Sequence, residues 1–240
     1  MAHTKKELQQ TKPLILAIEN STLCGSVALV SGAQCLCEFS LLSRMTHSKR
    51  LLGSIDHIMQ NCGIGWNDID GIAISLGPGS FTGLRIGLST AKGLAMAAGL
   101  PLIGVSSLDG LAAQLPYAGH LICSMLDARK KEVYAAFYRA EGDKTKRISD
   151  YLAVTPQKLT EQIAEPVILV GDGAELYSDF FREKLGERAL FAPSQLLLPK
   201  ASAIGFLAIS KWQSNDFLNT ASAVPIYVRP SDAEIHFKGN

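Results

Sequence analysis

Net charge is almost absent from this sequence: 23 Lys and Arg stand against 22 Asp and Glu in 240 residues, a formal balance of +1 at pH 7. A chain so balanced has no global attraction for nucleic acid or for an anionic membrane, so either contact would need a local patch or a partner. Histidine is scarce. His3, His47, His57, His120 and His236 form no HxxxH, HxH or HExxH spacing, which argues against a zinc site and against a metallopeptidase. The cysteines, at positions 24, 35, 37, 62 and 123, make no CxxC pair and read as reduced thiols rather than a disulfide framework. Long apolar runs are missing too: the most apolar region, Leu94 to Val105, is broken by Gly99 and Pro101, too short for a membrane span. Met1 to Lys12 lacks the apolar core of a signal peptide. The expectation is a cytoplasmic protein with no membrane contact.

What is present is a globular composition, 47% apolar and 19% charged. Residues 1–13 are expected to be a flexible tail. Three strands follow as a meander, at 14–18, 25–30 and 34–40. Then come a helix from His47 to Asn61, a strand at 71–76, a helix from Leu84 to Ala98, a strand at 102–105 and a helix at 107–115. The order then restarts: strands at 120–126, 132–139 and near 148–154, a helix to Ile163 opened by Thr155-Pro156, a strand at 167–170 running into Gly171-Asp172-Gly173-Ala174, and then a helix to about Leu185. A last helix covers 200–213, and 224–229 is extended around Pro225. Strand-strand-strand-helix-strand-helix, twice, predicts an α/β fold of two ribonuclease-H-like lobes, the actin-like ATPase (ASKHA) architecture. The alternative is one mixed α/β sheet. The expected lobes are 14–106, with 220–240 returning to it, and 107–219.

The chain is organised around Gly77-Pro78-Gly79-Ser80-Phe81-Thr82-Gly83-Leu84-Arg85-Ile86-Gly87. It is no P-loop, because Leu84 and Arg85 stand where Lys and Ser or Thr would hold phosphate and magnesium. It is no nucleophile elbow either, since Pro78 and Thr82 flank Ser80 where glycines are required. The plainer reading is a tight strand-to-helix turn with Ser80 or Thr82 as N-cap. Behind it, Gly83, Gly87, Ala91 and Ala95 line one helix face and invite a close neighbour, the chain's own 47–61 helix or a second subunit. In a duplicated actin-like fold a nucleotide sits between the turns that follow the first strand of each lobe. Here those are Glu19 to Gly25 and Asp127 to Lys131, which makes Glu19, Ser21 and Asp127 the candidate nucleotide residues. Neither turn is glycine-rich, so ordinary turn carboxylates are the favoured reading. Arg129-Lys130-Lys131 reads as a solvated turn, with a phosphate or RNA contact as the sharper alternative.

Leu14 to Ile18 with its Ser21-Thr22 turn, His47-Ser48, the Gly77–Gly87 loop, Asp127-Ala128-Arg129 with Glu132-Val133-Tyr134, Gly171 to Ala174 and Pro225-Ile226-Tyr227-Val228-Arg229 together resemble the TsaB (YeaZ) family, from about Leu14 to Arg229. The resemblance implies a non-catalytic activating subunit of the bacterial machinery that makes threonylcarbamoyladenosine beside the tRNA anticodon. It further implies a heterodimer with a TsaD-type transferase through the two helices of the first lobe, a TsaE-type P-loop ATPase joining the complex, homodimers when alone, and tRNA met only through the complex. On that basis His47, Leu51, Ile55, Ile58, Leu84, Gly87, Leu88, Ala91 and Ala95 are the expected partner interface. No catalytic residue and no metal site are expected, and ATP or ADP with magnesium belongs to the complex, not the isolated subunit. The family's first turn usually reads Asp-Thr-Ser-Thr, and the longer Glu19 here would crowd a phosphate. The alternative function is an ATP-dependent small-molecule kinase or ATPase on the same fold.

Overall fold

The computed structural model describes residues 12–42 and 47–229, with the backbone alone for 47–50. Most of the expected tail at 1–13, and the end of the returning segment at 230–240, lie outside these residues. Leu14–Glu19 (β1) is aliphatic on both faces and buried on both, as a strand covered by two layers requires. It pairs antiparallel with Cys24–Ser31 (β2), which pairs in turn with Gln34–Leu42 (β3). On its other side it pairs parallel with Gly71–Ser75 (β4), and Leu102–Val105 (β5) closes the sheet in the order β3-β2-β1-β4-β5. Helices His47–Cys62 (α1) and Phe81–Ala98 (α2) cover one face, packing Leu51, Ile55, Ile58, Leu88, Ala91 and Ala95 onto Leu16, Ile18, Leu29 and Ile72. Helix α2 starts three residues before the expected Leu84: the Ser80 hydroxyl accepts the Gly83 N–H as its N-cap, and Gly99 ends it in the left-handed conformation.

The second sheet repeats the plan. Leu121–Arg129 (β6) takes the place of β1, antiparallel to Glu132–Glu141 (β7) and parallel to a later strand, Val167–Val170 (β10). Lys144–Arg147 (β8) and Leu152–Val154 (β9) both pair with β7, and Ala189–Phe191 (β11) closes the far edge. Two mixed sheets of one topology make the fold actin-like. The single expected third strand near 148–154 is thus two, because β7 is long enough to carry both. In the gap between them, the Ser149 hydroxyl accepts the Phe137 N–H at 2.9 Å.

Each lobe borrows a helix from the other half of the chain. Ser107–Ala112 (α3), capped by Ser106 directly after β5, packs Leu108 and Leu111 against Ile122, Leu126 and Tyr138 of the second sheet. Pro156–Thr160 (α4), Asp172–Leu176 (α5) and Ser178–Leu185 (α6) cover that sheet's other face, burying Leu159 and Phe181. The single helix expected after Gly171–Ala174 and ending at Leu185 starts earlier, at Asp172, and breaks at Tyr177 into α5 and α6. Ala201–Gln213 (α7) then returns to the open face of the first sheet, setting Ala201, Ile204 and Ala208 on Ile15, Ala17, Val30 and Ile103. The expected boundary that placed 107–219 in one lobe is corrected here: α7 is a first-lobe helix by packing. Residues beyond it also run along that sheet, Leu218 N–H donating to Leu102 O and Ile226 N–H to Leu76 O, both at 2.8 Å. No helix among the described residues is long and apolar enough to cross a membrane.

A Cβ at Gly205 would lie 2.5 Å from Val30 Cγ2 and 3.1 Å from the Ala17 Cβ. Gly205→Val is therefore expected to lever α7 off the first sheet and cost about 1–3 kcal/mol, read as a lower urea midpoint. An unchanged midpoint would contradict the placement of α7.

Candidate functional site

The turn after β1 is sealed. Glu19, Asn20, Ser21 and Thr22 are all buried, polar as they are. Each is held locally or by the glycine loop. Glu19 Oε1 accepts the Ser21 N–H at 2.5 Å, and Thr22 Oγ1 accepts the Cys24 N–H at 3.2 Å. The Asn20 carboxamide donates to Gly83 O at 2.8 Å, and the Ser80 N–H donates to Ser21 O at 2.7 Å. Glycine makes this approach achievable: a Cβ at Gly79 would sit 2.4 Å from Ser21 O, and one at Gly83 only 2.2 Å from Asn20 O. A Cβ at Gly87 would also be close, 3.2 Å from the Asn20 Cβ. The small-residue face of α2 thus receives the chain's own first turn at its glycines, where a neighbouring helix was expected. Only Ala91 and Ala95 continue that face into the core shared with α1.

This geometry does not fit the nucleotide role expected for Glu19 and Ser21. Burial pushes the Glu19 carboxyl above its ordinary 4.5, favouring the neutral acid over a magnesium-holding carboxylate. Glu19 Oε2 and Ser21 Oγ lack hydrogen-bond partners, yet both are shut beneath the loop. A phosphate would have to displace Gly79 and Ser80 to reach them.

The second turn is held differently. Gly171 stands where a Cβ would lie 1.8 Å from Met125 O, so the chain leaving β10 passes close over the middle of β6, whereas the loop after β4 rests on the turn beyond β1. Asp127, the other candidate nucleotide residue, is engaged: Oδ1 accepts the Arg129 N–H at 2.8 Å, and Oδ2 lies 3.2 Å from the Arg129 guanidinium. Its own N–H donates to Asp172 Oδ1 at 3.0 Å, and burial pushes the Asp172 carboxyl up. The expected turn at 127–131 is narrower in fact. A bulge between Asp127 and Arg129 lets β6 continue to Arg129, and only Lys130 and Lys131 form the turn.

The family model described as TsaD, tRNA N6-adenosine threonylcarbamoyltransferase, matches residues 41–237. The chain is 32% identical over 229 residues to the tRNA threonylcarbamoyladenosine biosynthesis protein TsaB of Haemophilus influenzae, covering 90% of this chain and 93% of that one. It is 31% identical over 221 residues to TsaB of Escherichia coli, covering 90% and 94%. The chain belongs to the TsaB branch of that family. YeaZ from Pseudomonas aeruginosa, a solved structure, superposes with a TM-score of 0.76 at 27% identity over 90% of this chain and 99% of that one.

In this TsaB-family chain the expected interface residues face inward. Leu51, Ile55, Ile58, Leu84, Leu88, Ala91 and Ala95 are buried within the chain, and Gly87 is closed by Asn20. His47 opens α1, but its side chain lies outside the described residues. These side chains serve the fold of the chain itself, since the apolar stripe of a surface helix faces its own core. The outward face is different. Leu52 is 52% exposed and Met96 72%, and two glycines, Gly53 in α1 and Gly93 in α2, have nothing within 4 Å of an added Cβ. A cleft of about 390 Å³ opens at the α1 end of this surface, walled by Leu52, Met59, Ile64 and Trp66. Sequence reading passed over Gly53, and its signal was a glycine inside a helix with no internal reason to be there.

The two kinds of glycine predict opposite signs. Gly83→Ala is expected to cost about 1–3 kcal/mol by pressing on Asn20 O, whereas Gly93→Ala should stabilise the monomer by about 0.5–1 kcal/mol; chemical denaturation of both variants decides. Glu19 yields a pH test. Because its folded-state pKa is raised, the stability it contributes is present below pH 4.5 and is lost as pH rises through the folded value. Glu19→Gln keeps an acceptor for Ser21 N–H without an ionisable proton. Its Tm should match the parent in acid and exceed it at alkaline pH.

Proposed function

We propose that the chain is a non-catalytic activating subunit in the synthesis of threonylcarbamoyladenosine in tRNA, heterodimerising with a TsaD-type transferase and admitting a TsaE-type P-loop ATPase to the complex. The relatives carry the tRNA part of this reading by name. The observation that carries the partner part is the open face of α1 and α2. Glycine in a helix interior costs about 1 kcal/mol against alanine, and at Gly53 and Gly93 no contact among the described residues offsets it. A helix of another chain lying across these positions would gain backbone-close packing, with Leu52 and Met96 as flanking apolar contacts. The buried residues Leu51, Ile55, Ile58, Leu88, Ala91 and Ala95 then set the helices' attitude without touching the partner. In the absence of the transferase, two copies of this chain pair through the same face.

The engaged state of both turns supports an accessory role over a kinase or ATPase. Glu19 is buried and Asp127 is tied to Arg129, so neither is disposed to position magnesium for phosphoryl transfer. The test is co-expression with a TsaD-type and a TsaE-type protein, scoring threonylcarbamoyladenosine in tRNA with and without this chain. Gly93→Trp and Met96→Asp should abolish co-purification with the transferase and reduce modification toward the level without the chain, while the monomer's Tm stays within a few degrees. Normal activation by Gly93→Trp would refute the face.

A further inference from the structure

The tip of the β6–β7 hairpin is built against local preference. A two-residue hairpin turn with positive φ at both central positions favours Asn-Gly or Gly-Gly. Here those positions are Lys130 at φ 51° and Lys131 at φ 63°, preceded by Arg129 at 61°. Left-handed backbone costs a residue with a side chain roughly 1–2 kcal/mol, and three in a row make a sizeable local strain. The closure between Arg129 and Glu132 and the bulge at Asp127 hold them there. All three side chains are exposed, that of Arg129 by 75% even while it touches Asp127. A glycine-containing tip would suit the turn's backbone better, so the turn geometry alone does not account for cations at these positions.

An aromatic pair lies alongside. Arg229 donates to Glu132 Oε2 at 2.5 Å and to Ala128 O at 3.3 Å, fastening the C-terminal strap to the base of the tip. Two residues earlier on the same strap, Tyr227 packs on Phe81 with centroids 5.7 Å apart, and they are 45% and 39% exposed. The Arg85 guanidinium lies 3.8 Å from the Phe81 ring centroid, and its Nε donates to the Tyr227 hydroxyl at 3.4 Å. Among the described residues Arg85, Arg129, Lys130, Lys131 and Arg229 thus gather with Asp127 and Glu132 along one ridge.

We propose that this ridge is a contact for single-stranded RNA, with phosphates on the Arg129–Lys131 tip and unstacked bases against Phe81 and Tyr227. Cations that track a backbone beside exposed rings that accept any base are the two components of single-strand recognition. The inference rests on the proposed function and extends it, since it gives this subunit its own share of the tRNA in place of one reached only through the complex.

The test is titration of the full chain with a fluorescently labelled RNA stem-loop, and with the same sequence fully base-paired as control. The parent should bind the single-stranded loop in preference. Lys130→Asn combined with Lys131→Gly, which suits the turn better, should leave Tm unchanged or higher while affinity falls about tenfold and the salt slope drops by about 0.7 for each phosphate no longer neutralised. Tyr227→Ser should weaken binding with little change in that slope. The proposal is overturned if the parent does not bind, if the double variant binds as well as the parent, or if the double variant keeps RNA but no longer holds the transferase, which would make the tip a protein contact. Should tRNA modification prove independent of the chain while the titration behaves as expected, the proposed function fails and the ridge stands.

Discussion

The close seating of the Gly77–Gly87 loop on the Glu19–Thr22 turn is the contact on which the first lobe's surface depends. Two hydrogen bonds define it, Ser80 N–H to Ser21 O and the Asn20 carboxamide to Gly83 O. They fix where α2 begins and how it is rotated. That rotation buries Leu84, Leu88, Ala91 and Ala95, turns Gly93 and Met96 outward, and brings Phe81 and Arg85 to the strap at Tyr227. Partner face and aromatic pair are therefore two ends of one helix set by one contact. The second lobe has a close approach of its own, where a Cβ at Gly171 would meet Met125 O, but the register sets Gly171 level with Ser75, so the duplication lies in strand order and not in the placement of a glycine.

This seating also explains why a turn in the position of a phosphate site is unsuited to hold phosphate. A nucleotide turn leaves its N–H groups and carboxylate facing the cleft. Here the Ser21 N–H is taken by Glu19, and Ser21 O by the loop above it. The longer acidic side chain makes that arrangement achievable, because Glu19 can curl back to the N–H two residues on. A buried carboxyl with its pKa raised by desolvation is the electrostatic result.

Much of the fold was legible in the sequence, since strands buried on two faces announce themselves as unbroken aliphatic runs. Leu102–Val105 and Val167–Val170 match expectation to the residue. The Ser80 and Thr155 caps follow from short hydroxyl side chains ahead of a helical pattern. What sequence could not give was direction and distance. The family resemblance put Leu51, Ile55 and Ala91 on the partner face, and periodicity alone could not say which side of each helix met the rest of the chain. Gly83 and Gly87 declared a close neighbour without naming it, and the neighbour lies more than sixty positions earlier, at Asn20. The turn expected at 127–131 is present but narrowed to Lys130 and Lys131, and its left-handed backbone is imposed by the strands on either side and not chosen by the residues in it.

The exchange of α3 and α7 has a consequence for the chain while it is being made. The face of the first sheet formed by Ile15, Ala17, Val30 and Ile103 receives its cover from Ala201, Ile204 and Ala208. As synthesis runs from the N-terminus, that apolar face is complete long before its lid is translated, and the entire second lobe must emerge in between. For that interval the nascent protein displays a greasy sheet beside the ribosome, a surface that holding chaperones bind and that neighbouring copies can stick to. Truncation before α7 would make that transient state permanent.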